Sequence, residues 1–322
     1  MNSTRVQPEM AETFDPEDAI EQLFKSGNVA ALPIRAYLKW ASSPGTYSRD
    51  LAMPPIQRGF VWKAKQIQEL WDSLLRGMPI GAVMVKEFES GQLSGDLAPD
   101  RTFRISPQAG FHLIDGQQRT LSMLLGFPKE IPTEHKLWVD FSAQGTAGLE
   151  FRLRVSTRAQ PFGFQLDGRR LGTAERNKAY ETWKDANKDV TFERIFDNSK
   201  PWKANFANQG SLFEIKELWK TLNSTTEDID IWAAQVEDKI KQESGVVPPE
   251  IKKRVFRFGK ALLRLHNQSL ALIKIPHVEV ESDPERELAE GEDYLTMLFA
   301  RISSGGTRLS PDDLLFSMIK HR

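Results

Sequence analysis

A short apolar strand that leads directly into an amphipathic helix, within Phe111–Gly126 (FHLIDGQQRTLSMLLG), is the feature that most constrains the fold. Its first residues, 111–114, have the length and apolar character of a buried strand. Leucines at helical spacing follow, and a Gly-x-Pro sequence ends the helix. The chain must therefore turn sharply at Asp115-Gly116, where Asp115 can cap the helix and Gln118 can complete a capping box.

Polar residues crowd the first turn of this predicted helix: Asp115, Gln117, Gln118, Arg119 and Thr120. The N–H groups and the dipole at a helix N-terminus favour an anion. Gly116 leaves its backbone amide open to a ligand, and the guanidinium of Arg119 is a fork suited to phosphate oxygens. The pattern predicts a phosphate site, although a purely structural strand–helix turn has the same pattern.

Three motifs occur in a fixed order along the chain. IDGQQRTLS contains a DGQQR signature, and PPIQRGFVWKAKQIQELWDSLLRGMPIGAVMV, from Pro54 to Val85, fits P-x-x-QR-x-x-W, helix, R-G-x-P-I-G, strand. FARISSGGTRLSPDDL, from Phe299 to Leu314, fits F-x-R-x-N-x-G-G-x-x-L-S-x-x-D-L except at one position. Together they resemble the DUF262 family, the N-terminal domain of GmrSD-type modification-dependent restriction systems, which is grouped with the ParB/sulfiredoxin-like superfamily.

The resemblance implies a domain that binds and hydrolyses nucleoside triphosphates through DGQQR, coupled to DNA cleavage in defence against phage. Arg119 would neutralise charge on the transferring phosphoryl group, and Gln117 or Gln118 would place the attacking water. Asp115 would cap the helix, orient that water or hold Mg²⁺. The implied ligands are thus a nucleoside triphosphate of undetermined base and Mg²⁺.

Nucleotide or phosphate contacts follow from the resemblance at eight positions: Gln57, Arg58, Gly116, Thr120, Arg301, Ser303, Gly305 and Gly306. The pattern alone favours a solvated loop position for Arg58, and the glycine pair could serve only the geometry of a turn. Ser303 stands where the family has Asn. Serine keeps a short polar group but lacks the amide, which weakens the ligand contacts expected at that position.

Composition excludes several classes of protein. The 322 residues, of which 40% are hydrophobic, can bury a substantial core in one large domain or two ordinary ones. The net charge of −1 means that DNA contact needs a local basic patch. The absence of Cys excludes disulfides and thiolate chemistry. No P-loop motif, signal peptide or membrane-length apolar run is evident, so we expect a soluble, cytoplasmic chain without a membrane partner.

The predicted fold is a mixed α/β (α+β) core, a small ParB/sulfiredoxin-like sheet with helices, plus a largely helical insertion. Residues 1–50 form a tail and helices, 51–172 the DUF262 core with DGQQR, 173–268 the helical insertion or subdomain, and 269–322 the return strand and closing Gly-turn-helix. Within the core we predict a helix over 67–75 and strands over 80–88, 136–141 and 151–156, with a polar loop at 91–107.

Three further features leave alternatives open. The helix after Pro248-Pro249 has a basic face that is either solvated or in contact with DNA, formed by Lys252, Lys253, Arg254, Arg257 and Lys260. Asp140 is predicted to face solvent on its strand and is left out of the site. His112 is predicted to have a core or edge role.

No His lies in a His-Asn-His nuclease context, and the sequence ends within the helix of its third motif. We therefore expect DNA cleavage to be carried out by another domain or a partner, and a homo-oligomer is compatible with the pattern. The first alternative is a DNA-binding or metal-dependent DNA-nicking module that acts without nucleotide. The second is a catalytically inactive scaffold of the same fold.

Overall fold

The computed structural model describes residues 20, 23–25, 27–55, 59–97, 102–129, 134–146, 148–188, 191, 194–202, 210–224 and 228–276. The strands are β1 (Val29–Pro33), β2 (Asp50–Ala52), β3 (Val83–Phe88), β4 (Leu93–Gly95), β5 (Phe103–Ile105), β6 (Gly110–Asp115), β7 (His135–Gln144), β8 (Phe151–Thr157), β9 (Leu212–Glu214) and β10 (Ser269–Ile275). The helices are α1 (Ile34–Ala41), α2 (Ala64–Arg76), α3 (Gln117–Leu124), α4 (Thr173–Ala186), α5 (Ile195–Asn198), α6 (Ile215–Ser224), α7 (Ile229–Ser244) and α8 (Pro249–His266).

A five-stranded mixed sheet in the order β1-β10-β3-β6-β2 forms the centre of the fold. β3 pairs antiparallel with β6 and parallel with β10, and β2 lies parallel to β6. Strands pair with both edges of β6, and its apolar run is buried, with Phe111 packed against the rings of Phe24 and Trp40. The mixed α/β class predicted from the sequence is confirmed.

The strand and helix predicted around DGQQR are present as β6 and α3, but the predicted cap is wrong. Gly116, not Asp115, is the N-cap of α3, and no side chain caps the helix from that position. Asp115 is still in the strand, where it pairs with Met84 of β3. Gln118 points away from the helix start instead of completing a capping box.

Helix α2 confirms the amphipathic pattern predicted for residues 67–75. Its apolar stripe is buried: Ile67, Leu70, Trp71, Leu74 and Leu75. Gly77 ends the helix in the left-handed conformation, with φ of 75°. The Gly77 N–H donates to the carbonyl oxygen of Leu74, and the Met78 N–H donates to that of Ser73, so the last turn is closed as a Schellman-type cap.

A second sheet, β8-β7-β9, packs under the helices of the C-terminal half. Phe258 of α8 lies against Phe141 of β7 and Phe151 of β8, with ring centroids 5.4 Å and 5.0 Å apart. Helices α6, α7 and α8 belong to the same hydrophobic cluster as α1, α2 and the central sheet. These three helices therefore share one core with the central sheet, whereas buried residues of α4 and α5 belong to a second, smaller cluster. None of the described helices is both long enough and apolar enough to cross a membrane.

Two predictions made for the polar segments of the core are wrong. The loop expected at 91–107 contains the hairpin β4–β5, and Met53 bridges to Gly95 at its edge. Asp140 is not solvent-facing: it is buried, and its Oδ1 accepts hydrogen bonds from the backbone N–H and the hydroxyl of Ser142. Short polar strands and buried acids give no local periodicity, because they depend on partners elsewhere in the chain.

Candidate functional site

The DGQQR segment lies where the end of β6 meets the beginning of its antiparallel neighbour β3. The pairing shifts between Met84 and Val85, so that Ile114 is an extra residue in β6 just before the turn. Bulges of this kind re-aim the side chains that follow. Gly116 then adopts φ of 97°, and a Cβ on it would lie 2.9 Å from Cγ2 of Val83, so only glycine fits this turn without strain.

Arg119 is the best-positioned charged group of the segment. Its Nη2 donates to Oδ2 of Asp115 at 2.7 Å, and its Nη1 donates to the carbonyl oxygen of Ile80 at 2.8 Å. The Arg119 side chain is 19% exposed and that of Asp115 is 40% exposed, so the ion pair is at the surface of the site and not sealed inside. The guanidinium plane is thereby fixed at the start of α3.

Gly81 brings the backbone of the segment before β3 close to this guanidinium. Its φ is 82°, and a Cβ there would lie only 2.7 Å from Nη1 of Arg119. A side chain at this position would displace the arginine. The R-G-x-P-I-G motif therefore has a physical role here, because its last glycine makes room for Arg119 and its Ile80 carbonyl orients it.

Gln118 joins the DGQQR segment to the segment that precedes α2. Its Oε1 accepts hydrogen bonds from the backbone N–H groups of Val61 at 2.9 Å and Trp62 at 3.3 Å. Its Nε2 donates to the carbonyl oxygen of Gly59 at 2.8 Å. The side-chain amide is thus used on both sides, and it holds residues 59–62 against the start of α3.

Thr120 stabilises the turn at Gly116 through hydrogen bonds in the core. Its hydroxyl donates to the carbonyl oxygen of Gly116 at 2.9 Å, which leaves the hydroxyl of Tyr37 to donate to Oγ1 of Thr120 at 2.7 Å. Both side chains are fully buried, and burial raises the pKa of the Tyr37 phenol. This chain of bonds ties helix α1 to the left-handed glycine, and the Thr120 hydroxyl faces the core.

A family model described as the GmrSD restriction endonuclease, N-terminal domain, matches residues 45–320 of this chain. The match covers most of the sequence and includes all three motifs. The chain belongs to this family. The family match confirms the resemblance inferred from the three motifs.

The GmrSD N-terminal domain described here is also similar to a curated archaeal protein. An uncharacterised protein, MJ0686, from Methanocaldococcus jannaschii is 25% identical over 287 residues. The alignment covers 84% of this chain and 39% of that protein. The chain therefore spans well under half of the length of the curated relative it matches.

The structure of this GmrSD N-terminal domain brings together part of the predicted site. Asp115, Gly116 and Arg119 lie around one turn, and Gln117 begins α3 as a buried residue. The remaining predicted contact residues lie outside the described residues: Gln57, Arg58, Arg301, Ser303, Gly305 and Gly306. Their contribution to the site stays a prediction.

Three residues that support the site were not singled out from the sequence: Tyr37, Ile80 and Gly81. The two in the loop before β3 had a signal, since they end the R-G-x-P-I-G motif. Tyr37 had none, because it reaches Thr120 from a helix 83 positions earlier. The described residues contain no group of three or more His, Asp or Glu side chains that could hold a metal ion by themselves.

His112 is buried in the sheet that leads to the site, in agreement with its predicted core role. Its ring stacks on Phe88 with centroids 4.2 Å apart, and its Nε2 is 2.9 Å from Oγ of Ser94. Burial, assisted by the charge of Lys86, lowers the pKa of His112 to about 4. The imidazole is therefore neutral at physiological pH and serves as a packed strand residue.

Proposed function

We propose that this chain is a nucleotide-binding and nucleoside-triphosphate-hydrolysing domain of a modification-dependent restriction or phage-defence system, and that it controls DNA cleavage by another domain or partner. The observation that carries the proposal is the guanidinium of Arg119, held by Asp115 and Ile80 beside the left-handed Gly116 at the start of α3. Membership of the GmrSD N-terminal family supports the restriction-system context.

The arrangement suits phosphoryl transfer because that reaction depends on positioning and charge stabilisation. An α-helix leaves N–H groups of its first turn without intrahelical partners, and its dipole favours an anion at this end. Arg119 adds a fixed positive charge at the same place, with N–H groups that can reach phosphate oxygens. In this proposal the triphosphate lies against the Gly116 turn and Arg119 neutralises the transferring group.

Asp115 has a carboxylate beside the proposed triphosphate, and a cation between the two would offset their mutual repulsion. Mg²⁺ is commonly held by one or two carboxylates together with phosphate oxygens, which the partly exposed Asp115 fits alongside its ion pair with Arg119. When bound, the ion would neutralise phosphate charge. Asp115 would hold it or orient the attacking water, and Gln117 would position that water.

Gln118 and Thr120 have supporting roles in this proposal, since their polar groups are engaged with residues 59–62 and with Tyr37. Through these hydrogen bonds, Gln118 would transmit nucleotide binding at the turn to residues 59–62, which belong to the Pro54–Val85 motif. Gln57, Arg58, Arg301, Ser303, Gly305 and Gly306 are proposed as further nucleotide contacts from their motif positions.

The direct test is a thermal-shift panel of the four ribonucleoside triphosphates with Mg²⁺, combined with an assay of phosphate release. Ligand at 100 times its dissociation constant stabilises the folded state by about 2.7 kcal/mol. Arg119→Ala should abolish both the shift and the release. Arg104→Ala is the matched control, because Arg104 also pairs with an aspartate, Asp96 at 3.1 Å, on the surface hairpin.

The outcomes separate the alternatives. Stabilisation and turnover that survive Arg119→Ala would contradict the proposed site. DNA binding or metal-dependent nicking without any effect of nucleotide would support the module that acts on DNA alone. Binding of neither ligand would support the inactive scaffold.

A further inference from the structure

A cleft rich in arginine opens on the other sheet of the molecule, between the end of β7, the start of β8, the end of α2 and the first half of α8. Its cavity volume is about 420 Å³, which is within the range of small-molecule sites. None of its lining residues belongs to the turn around Gly116, so the cleft is separate from the proposed nucleotide site.

Four arginines and two acids give the lining an excess of positive charge: Arg76, Arg152, Arg254, Arg257, Asp140 and Glu150. Both acids are already engaged. Glu150 accepts from Nη2 of Arg257 at 2.7 Å, and Oδ1 of Asp140 accepts from Ser142. Arg76 pairs with Asp72, which lies outside the cleft lining, at 2.7 Å.

Arg152 and Arg254 have no carboxylate partner among the described residues. The Nε of Arg152 donates to the carbonyl oxygen of Gln144 at 3.3 Å, and Nη1 of Arg254 donates to that of Phe141 at 2.8 Å. Both side chains are half-buried, and the Nε of Arg254 is buried without a hydrogen-bond acceptor in the described structure. An arginine has five N–H donors, so each of these guanidinium groups keeps donors for an anion beyond the bond that it makes to the protein.

We infer that this arginine cleft binds a phosphate-bearing anion, with Arg152 and Arg254 as its main contacts. Guanidinium groups recognise phosphate oxygens through paired N–H donors, and a backbone carbonyl oxygen of β7 accepts one hydrogen bond from each of the two, the shorter one from Arg254. Phe141, Leu149 and Phe151 also line the cleft. Two sources have this chemistry: a free phosphorylated small molecule, and a backbone phosphate of nucleic acid.

The test uses inorganic pyrophosphate as the probe and isothermal titration calorimetry on the full chain. Arg152→Ala and Arg254→Gln should each weaken pyrophosphate binding about tenfold or more, since a hydrogen bond to a charged group contributes about 1.5–3 kcal/mol. Lys253→Ala is the matched control, because this exposed lysine is adjacent to Arg254 on α8 but does not line the cleft. Arg119→Ala should bind pyrophosphate in the cleft as the wild type does.

Fluorescence anisotropy with a labelled 20-base-pair duplex distinguishes the sources. Duplex binding that falls in Arg152→Ala, weakens with salt and is displaced by pyrophosphate would identify nucleic acid as the source. Pyrophosphate binding without duplex binding would identify a free anion.

The inference is overturned if pyrophosphate does not bind, if Arg152→Ala and Lys253→Ala weaken binding equally, or if Arg119→Ala alone removes all of it. The last result would place the anion at α3 and leave the proposed function intact. If nucleotide does not bind but Arg152→Ala and Arg254→Gln still weaken pyrophosphate binding, the proposed function is contradicted and the inference about the cleft stands. Arg152→Ala carries the test if Arg254→Gln impairs folding, because Arg152 makes a single long bond to the protein.

Discussion

Gln118 connects two sequence motifs through one side chain. Its amide accepts from two backbone N–H groups and donates to one carbonyl oxygen in residues 59–62. A glutamine is suited to this position because it offers an acceptor and a donor side by side. The start of α3 and the segment before α2 are thereby kept in one arrangement.

Gln118→Ala should lower the free energy of unfolding by about 1–3 kcal/mol, because partly buried backbone groups lose their partners. Gln118→Glu should be destabilising as well at neutral pH, since a carboxylate oxygen would face the carbonyl of Gly59. Urea unfolding measures both. The exposed Gln92 is the control, and Gln92→Ala should change stability by less than about 0.5 kcal/mol. Equal effects at the two positions would show that Gln118 does not hold the segment.

His112 makes stability depend on pH. Its pKa is about 4 in the folded protein against 6.5 for the ordinary group, so the unfolded chain binds the proton more tightly. Stability from this residue is complete above pH 6.5 and is lost as the pH falls towards 4, by about 3 kcal/mol in total. The difference between the wild type and His112→Gln in urea unfolding at several pH values isolates this contribution. Parallel profiles for the two proteins would contradict it.

For individual residues, the sequence predicts which polar side chains cluster but not which hydrogen-bond partners they have. The polar group around Asp115–Thr120 is evident from the strand–turn–helix pattern. That Gln118 contacts residues 59–62, and that Thr120 contacts Tyr37, depends on packing between segments more than fifty positions apart. Local spacing contains no information about such partners.

Helix α8 packs against the β7–β8 sheet and belongs to the same hydrophobic cluster as α6, α7 and the central sheet. Its apolar face is buried along most of its length, with Phe258 at the centre against two phenylalanine rings of β7 and β8. Edge-to-face aromatic contacts of this kind add to the burial of apolar area. The helix therefore contributes to the common core and not only to the periphery.

Phe258→Ala should cost about 3–5 kcal/mol in the free energy of unfolding, because it leaves a cavity between α8 and the β7–β8 sheet. Phe256→Ala is the matched control on the same helix. Phe256 is half-buried and lies under the ammonium group of Lys260, so its loss should cost about 1–2 kcal/mol. Chemical unfolding of the three proteins tests this order. A reversed order would show that the centre of α8 is not packed as described.

Long elements with a regular apolar spacing are predictable from the sequence, whereas strands of three residues are not. The stripe of α2 and the apolar face of α8 appear in the sequence as regular spacings, and both helices are present. Strands β2, β4, β5 and β9 have three residues each, too few to show alternation. They are strands because a neighbouring strand offers hydrogen-bond partners, which is a property of the assembled sheet.

For the whole molecule, family membership is predictable from three ordered motifs, and the family match confirms it. The sheet order is not predictable in the same way. β1, from the N-terminal region for which only a tail and helices were expected, pairs with β10 from the other end of the described chain. The helical segment was expected to form an insertion or subdomain, and α6–α8 share the hydrophobic cluster of the central sheet.

The position of β10 between β1 and β3 has a consequence for synthesis on the ribosome. Leu272 pairs with Val83, so a nascent chain must extend far beyond β3 before that strand receives its neighbour. Until then β1 and β3 each present an unpaired edge, which is a template for association with other chains. Translation that stalls before Ser269 would release a polypeptide with most of the core residues but without the strand that joins the two edges. We expect such truncated products to require chaperones and to be removed by proteolysis.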